Sequence, residues 1–127
     1  MDTEKNMTIL AIDDSNTNIV LLQAVLNGRG YKIETALSVK EAYNIMNRKM
    51  PNLILLDLLM PRINGYDFLK EIKAGAKTKD IPVIVISALT DQENINKAMA
   101  LGASDYIKKP LDIQKLLDLV ATVIKNH

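Results

Sequence analysis

The stretch Leu53-Ile54-Leu55-Leu56-Asp57 limits what this chain can fold into more than any other. Four consecutive branched apolar residues, opened by Pro51-Asn52, are too few for a membrane span and show no polar alternation. They predict a strand buried on both faces, as a central parallel strand is. Such a strand needs helices above and below it. The run ends in a carboxylate, where open α/β sheets place their ligands, in the crevice outside the strand ends. Taken alone, Asp57 is equally well read as a cap for the loop that follows.

The other segments supply the rest of the sheet. Thr8-Ile9-Leu10-Ala11-Ile12 is a second apolar run, and it also ends in carboxylates, Asp13 and Asp14. Ser15 is placed to cap a helix with Ile19, Val20, Leu22, Val25 and Leu26 on its stripe, stopped by Gly28 and Gly30. Tyr31 to Ala36 alternates apolar and polar, as a strand with one wetter face nearer a sheet edge does. Ser38-Val39-Lys40-Glu41 is a capping box opening a helix through Ala42, Ile45 and Met46, which Pro51 ends. After Asp57, Met60-Pro61-Arg62-Ile63-Asn64-Gly65 is turn chemistry, and a helix with Tyr66, Phe68, Leu69 and Ile72 follows. Ile81 to Ile86 reads as a fourth buried strand ending in Ser87. Thr90-Asp91-Gln92-Glu93 is a capping signal for a helix whose inward face is Ile95, Ala98, Met99 and Leu101, closed by Gly102. Asp105 to Lys108 is a fifth strand, and Lys109-Pro110 an extended corner. Asp112 opens the last helix, with Ile113, Leu116, Leu117, Val120 and Ile124 on its stripe.

Strands alternating with helices at short spacing predict an α/β fold, a doubly wound five-stranded parallel sheet of flavodoxin-like order 2-1-3-4-5. Its 127 residues suffice for one domain, spanning 1–127, that buries roughly two-thirds of its unfolded surface. Sixteen basic residues stand against 15 acidic ones, and the resulting charge of +1 makes no field that draws nucleic acid or an anionic membrane. Cysteine is absent, and with it disulfides and thiolate zinc ligands. The polar start, Met1 to Met7, lacks a signal-peptide pattern, and no run reaches the ~20 apolar residues of a span, so a cytoplasmic protein is expected. His127, the only histidine, reads as a solvated tail residue.

In this topology Asp13, Asp14 and Asp57 meet at the switch point between the first and third strands. Three converging carboxylates repel, and a hard cation, Mg2+ above all, resolves the repulsion. The same aspartates at 13 and 14 also suit an N-cap pair favoured by the helix dipole. Ser87 and Lys109, at the ends of the fourth and fifth strands, add a hydroxyl and an ammonium to the rim. Together these groups match what phosphoryl transfer to a side chain needs, with Asp57 as nucleophile and cations to neutralise the transferring group.

With these residues in place, the chain resembles the receiver domain of two-component response regulators over essentially its whole length. The resemblance rests on Asp13-Asp14, Leu53 to Asp57 with Met60-Pro61 and Gly65, Ser87-Ala88, and Tyr106 with Lys109-Pro110. It implies that Asp57 accepts a phosphoryl group from a sensor histidine kinase or a histidine phosphotransfer protein. It implies that Asp14 binds Mg2+ directly, Asp13 largely through water, and the Leu59 backbone carbonyl as a further ligand. Ser87 and Lys109 would bind the phosphoryl oxygens, with serine at 87 where threonine is commoner. Tyr106 is either a half-buried strand tyrosine or, as the resemblance implies, a switch that turns inward when Ser87 moves. The downstream protein target would bind the face of the fourth helix, fifth strand and fifth helix, and the domain would be a phosphoacceptor rather than an enzyme. A nucleotide- or flavin-binding module is the main rival on this fold. It lacks a G-x-G-x-x-G or G-x-x-x-x-G-K-[ST] turn here. An aspartyl phosphatase is the other, and Asp57-Leu58-Leu59 departs from its D-x-D pair.

Overall fold

Alternate residues of a strand point to opposite faces of a sheet, so an apolar run without alternation feeds two cores at once. The computed structural model, which describes residues 7–60 and 63–126, is built on that division. In chain order its elements are β1 (Thr8–Ile12), α1 (Asn16–Asn27), β2 (Lys32–Ala36), α2 (Val39–Arg48), β3 (Leu53–Leu56), β4 (Leu59–Met60), β5 (Ile63–Asn64), α3 (Gly65–Ala74), β6 (Val83–Ser87), α4 (Gln92–Ala100), β7 (Asp105–Lys108) and α5 (Ile113–Lys125). Five strands pair in parallel in the order β2-β1-β3-β6-β7. This is the expected 2-1-3-4-5 once the two short strands β4 and β5, a small antiparallel ladder in the loop after β3, are set aside.

On one face Leu10, Ile12, Ile54, Leu56, Val83 and Val85 pack with Ala42 and Met46 of α2, Phe68, Leu69 and Ile72 of α3, and Ala98 of α4. On the other, Ile9, Ala11, Leu53, Leu55, Ile84, Ile86 and Ile107 pack with Ile19, Leu22 and Leu26 of α1 and Leu116, Leu117, Val120 and Ile124 of α5. The strands thus carry the two-sided burial read from their composition, and β2, at the edge, carries the wetter pattern.

The helix starts follow local chemistry. Ser15, Ser38, Asn64, Asp91 and Asp112 are the N-caps, each accepting a backbone N–H from the first turn. In the box at Ser38 the glutamate reaches one residue further back than expected, its Oε2 accepting from the Leu37 amide at 3.1 Å. Ahead of α4, Asp91 rather than Thr90 takes the cap, because its carboxylate serves both the Asn94 amide and the Asn94 side chain. Two apolar residues lie outside the stripes drawn for them. Val20 is 62% exposed and Met99 41%, each about 100° around the helix from a buried neighbour, Ile19 or Ala98, so each turns to solvent. The fourth strand begins at Val83, since Ile81 donates its N–H to the Thr78 carbonyl and Pro82 has none to give. The Lys109–Pro110 bond is cis. The Pro61-Arg62 turn and the tail at His127 lie outside the described residues, within which no helix is long and apolar enough to cross a membrane.

Gly65 sets how closely α3 approaches the end of β3. A Cβ there would lie 2.7 Å from the Leu58 Cα and 3.0 Å from its carbonyl oxygen, both backbone atoms that cannot step aside. Gly65→Ala is therefore expected to lower stability by about 1–3 kcal/mol. Gly28→Ala, in helical backbone with only ordinary contacts at 3.4 Å, should be neutral or mildly stabilising. Denaturant unfolding of the two variants checks this, and equal midpoints would remove the steric argument.

Candidate functional site

In a parallel sheet all carboxyl ends share one rim, and here the ladder runs one residue past the strands to fix what the rim carries. The Asp13 N–H donates to the Ala36 carbonyl at 3.1 Å, the Asp57 N–H to the Ile12 carbonyl at 3.0 Å, and the Lys109 N–H to the Ser87 carbonyl at 2.9 Å. Each site residue is thus held by the last carbonyl of the strand beside it.

The side chains meet in a nearly closed spot. Asp13 and Asp57 are 3% and 4% exposed, and Ser87 is fully buried, while Asp14 faces solvent. One carboxylate oxygen of each aspartate, Asp13, Asp14 and Asp57, lies within 4.8 Å of the others, a spacing that could hold a metal ion. The Lys109 ammonium stands 3.3 Å from Oδ2 of both Asp13 and Asp57. These are the only ion pairs among the described residues. Asp57 Oδ1 accepts the Leu59 N–H at 3.0 Å. Asp13 Oδ1 accepts the Ser15 N–H at 2.9 Å, and its Oδ2 accepts from the Asn18 side chain at 3.2 Å.

Burial pushes the Asp57 carboxyl above its usual range, and the charge of Asp13 adds to this. The Leu59 N–H and the Lys109 ammonium pull it back without cancelling the effect. Charge at Asp57 is thus costly in the protein alone, which is what a site prepared for an added cation looks like.

A second cluster adjoins the first. Ser87 Oγ accepts the Leu89 N–H at 3.1 Å, and the Tyr106 hydroxyl donates to the Leu89 carbonyl at 2.6 Å. Tyr106 is 7% exposed, so its inward position is already adopted here, the hydroxyl satisfied by that carbonyl. Beyond Leu89 an open groove of about 600 Å³ is lined by Asp14, Leu59, Met60, Leu89, Tyr66 and Lys97, among others. The Tyr66 hydroxyl donates to the Asn94 side chain, and Lys97 lies 4.2 Å over the Tyr66 ring.

Asp13, Asp14, Asp57, Leu59, Ser87, Tyr106 and Lys109, the site residues singled out in the sequence, all lie at or beside this rim. Sequence reasoning missed Asn18, Asn94 and Lys97. Asn18 was visible as a polar residue in the first turn after the acidic pair, and its side-chain amide reaches back to Asp13. The Tyr66–Asn94–Lys97 contacts join two helices, and no local spacing announces them.

The family model described as response regulator receiver domain matches residues 9–121. Response regulator SaeR of Staphylococcus aureus is 36% identical over 123 residues, covering 94% of this chain and 53% of that protein. The chain spans about half the length of the curated relatives it matches. Among solved structures, chemotaxis protein CheY4 of Vibrio cholerae superposes with a TM-score of 0.86 at 27% identity, covering 93% of this chain and 98% of that one. The signal receiver domain of a signal transduction histidine kinase from Syntrophus aciditrophicus gives 0.86 at 30%, covering 94% and 91%.

The electrostatics make a stability prediction that holds without any ligand. Because the folded state raises the proton affinity of Asp57, its stabilising contribution is present in acid and is lost as pH rises through the folded-state value. Asp57→Asn should therefore raise stability at neutral pH by about 1 kcal/mol, with the gap to the parent closing on acidification. Lys109→Ala strands two buried carboxylates and should cost about 1–3 kcal/mol, discounted because the ammonium is partly exposed. Thermal melts in chelator across pH test both; a destabilised Asp57→Asn at neutral pH would overturn the reading.

Proposed function

This chain belongs to the response regulator receiver family of two-component systems, and from that premise we propose that Asp57 is its phosphoacceptor. The observation that carries the proposal is the rim itself: a buried carboxylate with an ammonium at 3.3 Å and two further carboxylates within 4.8 Å. The donor is a phosphohistidine on a sensor histidine kinase or a histidine phosphotransfer protein. An Asp57 oxygen forms the new O–P bond as the P–N bond to the donor breaks, and the imidazole departs with that electron pair. Lys109 neutralises charge on the transferring oxygens, and the Ser87 hydroxyl donates to one of them.

Asp13, Asp14 and Asp57, with the Leu59 backbone carbonyl, are the residues that would hold Mg2+. A bound Mg2+ offsets the charge of the carboxylates and of the incoming phosphoryl group. The domain acts as a phosphoacceptor in the cytoplasm rather than as an enzyme on external substrates. It signals through a protein target on the α4–β7–α5 face, without nucleic-acid or membrane contact of its own. The route to that face begins at Ser87, whose hydroxyl leaves the Leu89 N–H for the phosphoryl group. Leu89 then shifts, and with it the carbonyl that holds Tyr106. Since Tyr106 is already inward, the phosphoryl group acts by biasing an existing equilibrium rather than by creating a new rotamer.

Intact-mass measurement after incubation with acetyl phosphate should show one added phosphoryl group that requires Mg2+. The adduct should vanish in Asp57→Asn and be suppressed in Asp14→Ala. Amide NMR shifts should run from Asp57 through Ser87 and Leu89 to Tyr106 and α4. An adduct surviving in Asp57→Asn would sink the assignment, and shifts confined to the rim would sink the switch.

The groove wall also bears on the lifetime of the phosphoryl group. Leu59 is 49% exposed and Leu89 half-buried, and neither side chain can orient a water for attack. Leu59→Asn combined with Leu89→Glu should therefore speed phosphate release after the donor is removed. An unchanged rate would show that water is controlled elsewhere.

A further inference from the structure

Strand β2 is an edge of the sheet and pairs only with β1. The Lys32 N–H donates to the Met7 carbonyl at 3.0 Å and the Ala36 carbonyl accepts from Asp13 at 3.1 Å, so the even-numbered residues turn their backbone groups inward. Successive residues of a strand alternate sides. Ile33 and Thr35 therefore turn N–H and C=O outward, where no strand among the described residues meets them.

A groove of about 200 Å³ runs beside this edge, lined by Lys32 and Glu34 of β2 and by Ile45, Arg48 and Lys49 at the end of α2. Three cations thus stand against one carboxylate, and none of these side chains has an ion pair or hydrogen bond among the described residues. Arg48 and Lys49 also suit the negative end of the α2 dipole. Lys32 sits on the strand itself, where no helix end accounts for it. A lysine on an edge strand guards it against indiscriminate pairing, and an acidic strand is the one whose charge it would pair with rather than repel.

We propose that this edge binds an extended acidic segment of a partner protein, which adds to β2 as a further strand. The backbone of Ile33 and Thr35 supplies the hydrogen bonds, Lys32, Arg48 and Lys49 select for carboxylates, and Ile45 receives an apolar side chain between them. A second copy of this chain is a poorer occupant, since it would bring the same positive excess to the edge. The basic groove lies on the α2 side of β2, the exposed backbone extends to Thr35, next to the residue that bonds Asp13, and the proposal does not depend on phosphorylation.

The test uses a short labelled peptide alternating glutamate and valine, with two controls: the lysine–valine counterpart, and the acidic peptide with alternate backbone amides N-methylated. Fluorescence anisotropy should show binding of the acidic peptide only, weakened by salt. Binding should fall roughly tenfold when Lys32, Arg48 and Lys49 are replaced by Gln, taking about 0.5 kcal/mol for each exposed cation. Hydrogen exchange at the Ile33 and Thr35 amides should slow on binding. Equal binding of the N-methylated peptide would reduce the site to diffuse charge attraction, and equal binding of the basic peptide would remove the selectivity; either overturns the proposal. Protection of Ile33 and Thr35 that rises with protein concentration alone would assign the edge to a second copy and overturn it as well.

Discussion

Lys109 is the counter-ion that lets two carboxylates be buried side by side at the end of a parallel sheet. Asp13 and Asp57 are almost wholly removed from water, and each has one oxygen 3.3 Å from that ammonium. Without it, two negative charges would share a site from which solvent is largely excluded, an arrangement that takes up an appreciable part of the folding free energy of a small domain. The remaining lone pairs are met by the amides of Ser15 and Leu59 and the Asn18 side chain. The balance is incomplete: one cation pairs with two carboxylates while a third, Asp14, stands within 4.8 Å of them.

The sheet made this arrangement possible before any side chain was chosen. Parallel pairing puts every carboxyl end on one rim, so residues far apart in sequence arrive together simply by following their strands. That is why the candidate site was legible: each of Asp13, Asp57 and Ser87 directly follows or ends a run whose burial is written in its composition, while Lys109 follows a mixed strand and is marked by the proline after it. Element type and order were equally legible, because uninterrupted branched apolar runs and capped amphipathic stretches leave few alternatives.

What escaped the sequence is what depends on an element's surroundings. Val20 and Met99 were assigned to inward stripes on hydrophobicity alone, but which side of a helix is covered depends on how wide the neighbouring layer is. The cap of α4 fell to Asp91 because its carboxylate finds a second donor in Asn94, a choice between adjacent residues that spacing rules do not decide. The Tyr66–Asn94 bond and the Lys97 contact with the Tyr66 ring link α3 to α4 across the groove, and partners on separate helices carry no shared local signal. The rotamer of Tyr106 belongs in the same class, being fixed by a carbonyl in a different loop.

Helix α4 has a thermodynamic character of its own. Among its residues only Ala98 is fully buried, while Ile95 and the flanking Leu101 pack in part. A buried methyl is worth about 1 kcal/mol, so little of the free energy that keeps the domain folded is invested in where this helix sits. Besides that packing, α4 is tied to α3 by the Tyr66–Asn94 hydrogen bond and the Lys97 contact, each a polar interaction of modest net worth. The stability of the sheet thus rests little on this helix, and the durability of the fold is separable from the exact seat of its surface.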